Sequence, residues 1–166
     1  MDNAKVIIKE TRKYGKGLFA REDIKKGQVI ARFDGEVFEA EKCSLLPNEP
    51  PLLIRDHAIQ FEENKWKDSK GFARFTNHSC NPNCGIKNYF EIMAMKNIKK
   101  GEEITFDYEM TEDSDWRMEC KCGSMHCRKI IGAYKNMPEE IRKKYKGYIS
   151  KWLINLKTKK LINTKK

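Results

Sequence analysis

No apolar run in this 166-residue chain approaches the roughly 20 residues that a bilayer-spanning helix needs. The first residues, Met1-Asp2-Asn3-Ala4-Lys5, lack the apolar stretch of a secretory signal. The expectation is a soluble, intracellular protein. Nor is there an internal repeat, and the length suits one domain with a moderate core and a terminal appendage rather than two independent domains. Acids nearly vanish from the last quarter: Arg128 to Lys166 holds 13 Lys/Arg against two acids, Glu139 and Glu140, whereas Met1 to Cys127 holds 21 against 22. The formal charge of +10 therefore belongs to the C-terminal segment. A basic tail on a near-neutral body fits a polyanion or acidic surface beside the tail, or simply a solvated lysine-rich face.

Short alternating or β-branched runs fill the first two thirds. They read as strands at Val6-Ile7-Ile8, Gln28 to Phe33, Leu52-Leu53-Ile54, His57 to Phe61, Tyr89 to Met95 and Ile104-Thr105-Phe106. Lys25-Lys26-Gly27, Leu46 to Pro51 and Lys99-Lys100-Gly101 are turn signals between them. After Pro138 the period becomes helical, with Ile141, Tyr145, Tyr148, Ile149, Trp152, Leu153 and Leu156 three and four apart, and Pro138-Glu139-Glu140 suits a helix start. This amphipathic segment is expected to lay its aromatic stripe on the body; a partner or membrane surface is the alternative. Lys157 to Lys166 is expected to fray.

Six cysteines without an export signal argue for metal rather than disulfides. Cys120, Cys122 and Cys127 place three thiols on one short loop, and a tetrahedral zinc site needs a fourth ligand. Cys80, Cys84, Cys43, His126 and His78 are all candidates, although His126 stands beside Cys127 and the two are poorly placed to reach one ion. Zinc would order a segment, Glu119 to Cys127, that has almost no apolar residues of its own.

Four blocks stand in fixed order: Tyr14-Gly15-Lys16-Gly17, Arg74-Phe75-Thr76-Asn77-His78-Ser79-Cys80-Asn81-Pro82-Asn83, Gly101 to Tyr108, and the three-cysteine loop. Together they resemble a SET-domain protein lysine methyltransferase over roughly Lys5 to Gly132. The resemblance implies a mainly β fold of small antiparallel sheets with short helices, with Phe106 to Tyr108 threaded knot-like near Asn77-His78, followed by a C-terminal amphipathic helix. It divides the chain into a SET catalytic domain over 5–115, a post-SET zinc loop over 116–133 and a basic helical tail over 134–166. It also implies that Cys80 joins Cys120, Cys122 and Cys127 on structural zinc, with Cys84 a small buried side chain and Cys43 without a role.

By the same resemblance, Tyr14, Gly15, Lys16, Gly17, Arg74, Asn77, His78 and Tyr108 surround S-adenosylmethionine, and His57 stands where some members place a further cofactor-facing residue. Glycine permits close backbone approach, and Asn and His offer the donors and acceptors such a ligand needs. Tyr108 takes the catalytic position. Phe106 occupies a position that is Phe or Tyr in the family, and Phe implies di- or trimethylation. The reaction requires a neutral lysine, which at pH 7 lies about 3.4 units, roughly 4.6 kcal/mol, from its ordinary pKa. An apolar, aromatic channel and the neighbouring sulfonium would offset that cost.

The acidic residues Asp107, Glu109, Glu112, Asp113, Asp115 and Glu119 read as a rim for a basic peptide or as a solvated loop. The sequence departs from the larger chromatin enzymes in showing no cysteine-rich region before Lys5, which shifts substrate selection to the body, the insert from Phe38 to Pro51 and the tail. The implied partner is a histone or histone-like basic protein, in cytoplasm or nucleus, with nucleic acid touching the lysine-rich segment. The competing classes are a non-catalytic chromatin or nucleic-acid module of the same fold, and a Cys80/His78 hydrolase, for which no orienting third group is evident.

Overall fold

Residues 4–11, 13, 15–39 and 57–163 are described by the computed structural model. The strands run in the order β1 (Val6–Glu10), β2 (Lys16–Ala20), β3 (Val29–Arg32), β4 (Val37–Glu39), β5 (Ala58–Glu62), β6 (Lys65–Asp68), β7 (Asn77–His78), β8 (Cys84–Lys87), β9 (Glu91–Ala94), β10 (Thr105–Phe106), β11 (Met118–Glu119) and β12 (Ile130–Ile131). Two helices close the chain, α1 (Glu139–Lys144) and α2 (Lys151–Asn163). Among the described residues, four of the five sheets are antiparallel: β1-β2, β3-β9-β8, β4-β6-β5 and β11-β12. The fifth, β7 with β10, is parallel, pairing Asn77 with Thr105 and His78 with Phe106. The mainly β expectation holds, and the parallel pair brings the Asn77-His78 block beside the block that ends at Tyr108.

The apolar runs form strands because alternate residues find one interior. Leu18, Ile30, Ile86, Ile92 and Ile104 are fully or almost fully buried in a single cluster. The turns at Gly27 and Gly101 take left-handed φ of 85° and 89°, as their lysine-lysine-glycine sequences require. Strand Leu52-Leu53-Ile54, the proline-rich turn at 46–51, Cys43 and most of the insert from Phe38 to Pro51 lie outside the described residues.

The helical period after Pro138 is present but divided. Gly147 at φ +85° interrupts it, so α1 ends at Lys144 and α2 begins at Lys151. Tyr145, Ile149, Trp152 and Leu153 nevertheless bury against the body. The joint between them runs against β8: the Ile86 N–H donates to the Tyr148 carbonyl at 2.8 Å, and a Cβ on Gly85 would stand 2.5 Å from the Tyr148 Cβ. Ser150 N–H reaches Met110 O at 2.9 Å, and Trp152 Nε1 donates to Thr111 O at 2.9 Å, so the C-terminal segment braces the turn that follows Phe106. The expected fraying from Lys157 is corrected by an α2 that continues to Asn163. No helix among the described residues is long and apolar enough to cross a membrane.

Candidate active site

The parallel pairing of β7 and β10 brings the side chains of Phe106, Tyr108 and His78 together. Phe106 is buried at 2% exposure, edge-on to Phe33 with centroids 6.0 Å apart and 5.0 Å from the Tyr108 ring. The Tyr108 hydroxyl donates to Thr76 O at 3.3 Å, and its ring meets His78 edge-on at 5.2 Å. Asp107, between the two aromatics, starts a short 3-10 turn by accepting the Glu109 N–H at 3.3 Å, which turns Tyr108 back toward Thr76. The result is an aromatic wall with one half-buried phenol on it.

Asn77 links this wall to the glycine block. Its Nδ2 donates to Glu103 Oε1 at 2.8 Å and to Lys16 O at 3.3 Å. Gly17 packs closely here: a Cβ would stand 2.6 Å from Thr11 Cγ2, 2.7 Å from Glu103 Oε1 and 2.9 Å from Asn77 Nδ2, so those side chains would have to shift. Gly15 differs: at φ +68° it is left-handed, and a Cβ would meet nothing within 4 Å. The glycines expected to make room for a ligand thus divide, Gly17 admitting Asn77 and Gly15 facing open space. Arg74, on the 3-10 turn Phe72–Phe75, has a buried Nε without a partner among the described residues, a donor suited to an anionic group. His57 stacks obliquely on Phe75 at 6.2 Å, next to Arg74. Tyr14 lies outside the described residues.

The cysteine loop folds onto the same region. One atom from each of His78, Cys80, Cys120 and Cys122 falls within 4.8 Å of the others, a donor set that can hold a metal ion. Cys80 and Cys120 sulfurs are 3.7 Å apart. Cys127 joins through side-chain contacts with Cys120 and Cys122, and its Sγ lies 3.5 Å from Cys120 O. Burial raises the Cys80 thiol to about 11. Burial also opposes ionisation of Cys122, but the backbone N–H groups of Cys80 and Ser124 outweigh it and bring that thiol down to about 7. His78 is held neutral, its pKa lowered to about 4 chiefly by burial, against the pull of Asp107. Its Nδ1 accepts the Tyr108 N–H at 3.3 Å, which leaves Nε2 as the donor toward Cys80 Sγ at 3.3 Å. Cys84 is fully buried, and its thiol is pushed well above the usual range by burial. His126 is exposed.

The expected acidic rim is only partly a rim. Asp107 and Glu109 are 0% and 4% exposed, and both face the Arg128 guanidinium. Asp115 pairs with Lys135 at 2.7 Å and Glu119 with Lys121 at 3.3 Å. Arg128 and Glu103 are the two charged residues of the site that no expected role covers. The signal for Arg128 was its place directly after Cys127, and for Glu103 its place inside the block that ends at Tyr108.

A SET domain profile matches residues 15–109, more than half of the chain, and the chain belongs to the SET domain family. It is 36% identical over 141 residues to the Debaryomyces hansenii "Histone-lysine N-methyltransferase, H3 lysine-36 specific", covering 78% of this chain and 19% of that protein. The Homo sapiens protein of the same description is 31% identical over 157 residues, covering 85% of this chain and 6% of that protein. The chain thus spans less than a fifth of either relative. Among solved structures, KRYPTONITE in complex with mCHH DNA, H3(1-15) peptide and SAH matches with a TM-score of 0.59 at 22% identity, covering 75% of this chain and 29% of that one. That likeness shows the fold.

Proposed function

We propose that this chain is an S-adenosylmethionine-dependent protein lysine N-methyltransferase acting on a histone or histone-like basic protein. The catalytic domain would be 5–115, the zinc-binding loop 116–133 and the basic helical segment 134–166. The observation that carries the reading is the β7–β10 pairing, which sets Asn77-His78 beside Thr105-Phe106 and brings the Tyr108 ring against Phe106 and His78. The relatives' descriptions as histone-lysine methyltransferases support it.

S-adenosylmethionine, when bound, supplies a methyl group on a sulfonium, and Gly15, Lys16, Gly17, Arg74, Asn77 and His78, with Tyr14, would hold it. The buried Nε of Arg74 and the open side of Gly15 fit a ligand with an anionic end. Tyr108 orients the incoming amine: a hydroxyl anchored on the Thr76 carbonyl keeps acceptor capacity for an amine N–H and so aims the nitrogen lone pair. Phe33, Phe106 and the Tyr108 ring provide an apolar wall that disfavours the ammonium form of lysine by desolvation.

Zinc, when bound, would tie Cys120, Cys122 and Cys127 to Cys80 and so fix the loop over the body. His78 is the competing ligand by distance, but both of its nitrogens already have partners, which favours Cys127 as the fourth.

Phe106 leaves a methylated amine room to turn, and the expected products are di- and trimethyl-lysine. Phe106→Tyr should shift mass-spectrometric product profiles toward monomethylation while turnover of the first methyl persists. Identical product states from both enzymes would remove Phe106 from this role.

The excess positive charge of 128–166 is read as a phosphate-facing surface, consistent with a nuclear, chromatin-bound substrate. With labelled donor, the protein is expected to methylate lysines of core histones and nucleosomes. Raising salt should depress labelling of nucleosomes far more than of free peptide, since only the former loses phosphate contacts. Absence of label on any lysine, with donor binding intact, would overturn the enzymatic reading.

A further inference from the structure

Both chain neighbours of Tyr108 are held by one side chain that the proposed chemistry does not use. Asp107, with no exposure, accepts from Arg128 in a bidentate fork, Nη1 to Oδ2 at 2.7 Å and Nη2 to Oδ1 at 2.8 Å. The same Nη2 reaches Glu109 Oε2 at 3.3 Å, and Glu109 Oε1 takes the Gly132 N–H at 3.0 Å. The Arg128 side chain is 14% exposed, and its backbone N–H points at Cys80 Sγ at 3.4 Å. One residue therefore joins the cysteine cluster, the loop after it and the backbone on each side of the phenol.

A buried ion pair is weak as a source of stability, because apolar packing of similar volume often does as well. What it supplies is a fixed geometry: the planar fork of Arg admits few orientations of the carboxylate it grips. The backbone beyond Arg128 is also constrained. Lys129 sits at φ +66°, and the Ile130 N–H closes back on the Arg128 carbonyl at 2.8 Å, the rarer form of three-residue turn. A non-glycine residue in that conformation persists where its surroundings over-determine it. Here the surroundings are the Cys120 N–H on the Lys129 carbonyl on one side and the fork on the other.

We propose that Arg128 is a positioning residue for Tyr108, transmitting the placement of the cysteine loop to the catalytic phenol through Asp107 and Glu109. The proposal rests on the reading of Tyr108 as the group that faces the reacting amine. Loss of the fork lets the 107–109 turn shift while Phe106 and Asn77 stay on the β7–β10 pair, so turnover should suffer and donor binding should not.

The test compares full-length wild type with Arg128→Lys and Arg128→Met, each checked for zinc content, donor affinity by calorimetry, kcat and KM on a histone peptide, and amide exchange across 104–112. Arg128→Lys keeps a charge and loses the fork. It is expected to bind donor and one zinc as wild type does, to lower kcat on the order of 10–100-fold with little change in KM, and to speed exchange at the Tyr108 amide. A folded, zinc-replete Arg128→Lys with wild-type kcat overturns the proposal. So does a variant whose melting temperature falls while kcat at saturating donor and peptide is retained, because the residue is then structural only. Should Arg128→Met fail to fold, Arg128→Lys still decides. Tyr108→Phe separates the two levels: if it stays active, the reading of the site falls and the clamp with it, whereas an inactive Tyr108→Phe beside an unimpaired Arg128→Lys removes the clamp alone.

Discussion

Tyr108→Phe is expected to lower kcat on the order of 10²–10⁴-fold while leaving donor affinity and melting temperature close to wild type. The substitution removes one oxygen and keeps the ring. Contacts of that ring with Phe106 at 5.0 Å and His78 at 5.2 Å do not involve the hydroxyl, and the Tyr108 backbone N–H still donates to His78 Nδ1. The bond from the hydroxyl to Thr76 O is lost, and at 3.3 Å on a half-buried group it is a weak contributor to folding. A large kinetic effect with a small structural one is therefore the signature of a group acting on the reacting amine. Single-turnover measurement with saturating donor isolates that step, and a Phe variant that transfers methyl at the wild-type rate would remove Tyr108 from the mechanism.

The blocks that define the family were legible because each carries an unusual combination of residue types within a few positions. The strands written in β-branched residues were legible too: β3, β9 and β10 fall within the runs expected for them, and β1 and β5 start inside theirs and extend past them to Glu10 and Glu62. Those missed have other compositions. β2 reads Lys-Gly-Leu-Phe-Ala, without a β-branched residue, and its Gly17 packs closely against Thr11, Glu103 and Asn77. β6 reads Lys-Trp-Lys-Asp, and only its Trp66 is fully buried. The break between α1 and α2 was written in Gly147, but the three-and-four spacing of apolar residues continues across it because both helices and their joint face one core. Long-range charge pairing could not be read at all. Asp107 and Arg128 are 21 positions apart, and an acidic run beside a tyrosine looks the same whether its carboxylates face solvent or a buried guanidinium. Burial decides between those states, and it is a property of the fold.

Removal of metal is expected to give the other large effect. The cysteine loop has a small cluster of its own, Cys80, Cys120 and Ile131, with Trp116, Met118 and Tyr108 packed at its edge, Tyr108 also packing on the main core of the body. So little apolar surface cannot order the segment alone, and ligand binding must contribute the difference. A chelator should therefore release one zinc per chain and abolish turnover. Amides of 116–133 should then exchange freely, while the β3-β9-β8 sheet and the helical brace on Met110 and Thr111 stay protected. Arg128 lies inside the released segment and Tyr108 packs against the cysteine cluster, so the loss of turnover should follow the loss of the ion directly. Substitution identifies the ligands. Cys127→Ser is expected to weaken zinc binding well beyond the roughly 10–100-fold typical of an outer-shell change, and His78→Asn to stay within that range. The reverse order, with zinc retained by Cys127→Ser and lost from His78→Asn, would assign the fourth position to the histidine that stands within 4.8 Å of the three sulfurs. His78 would then be a metal ligand whose Nδ1 still receives the Tyr108 N–H, coupling the ion to the phenol through one ring rather than through Arg128.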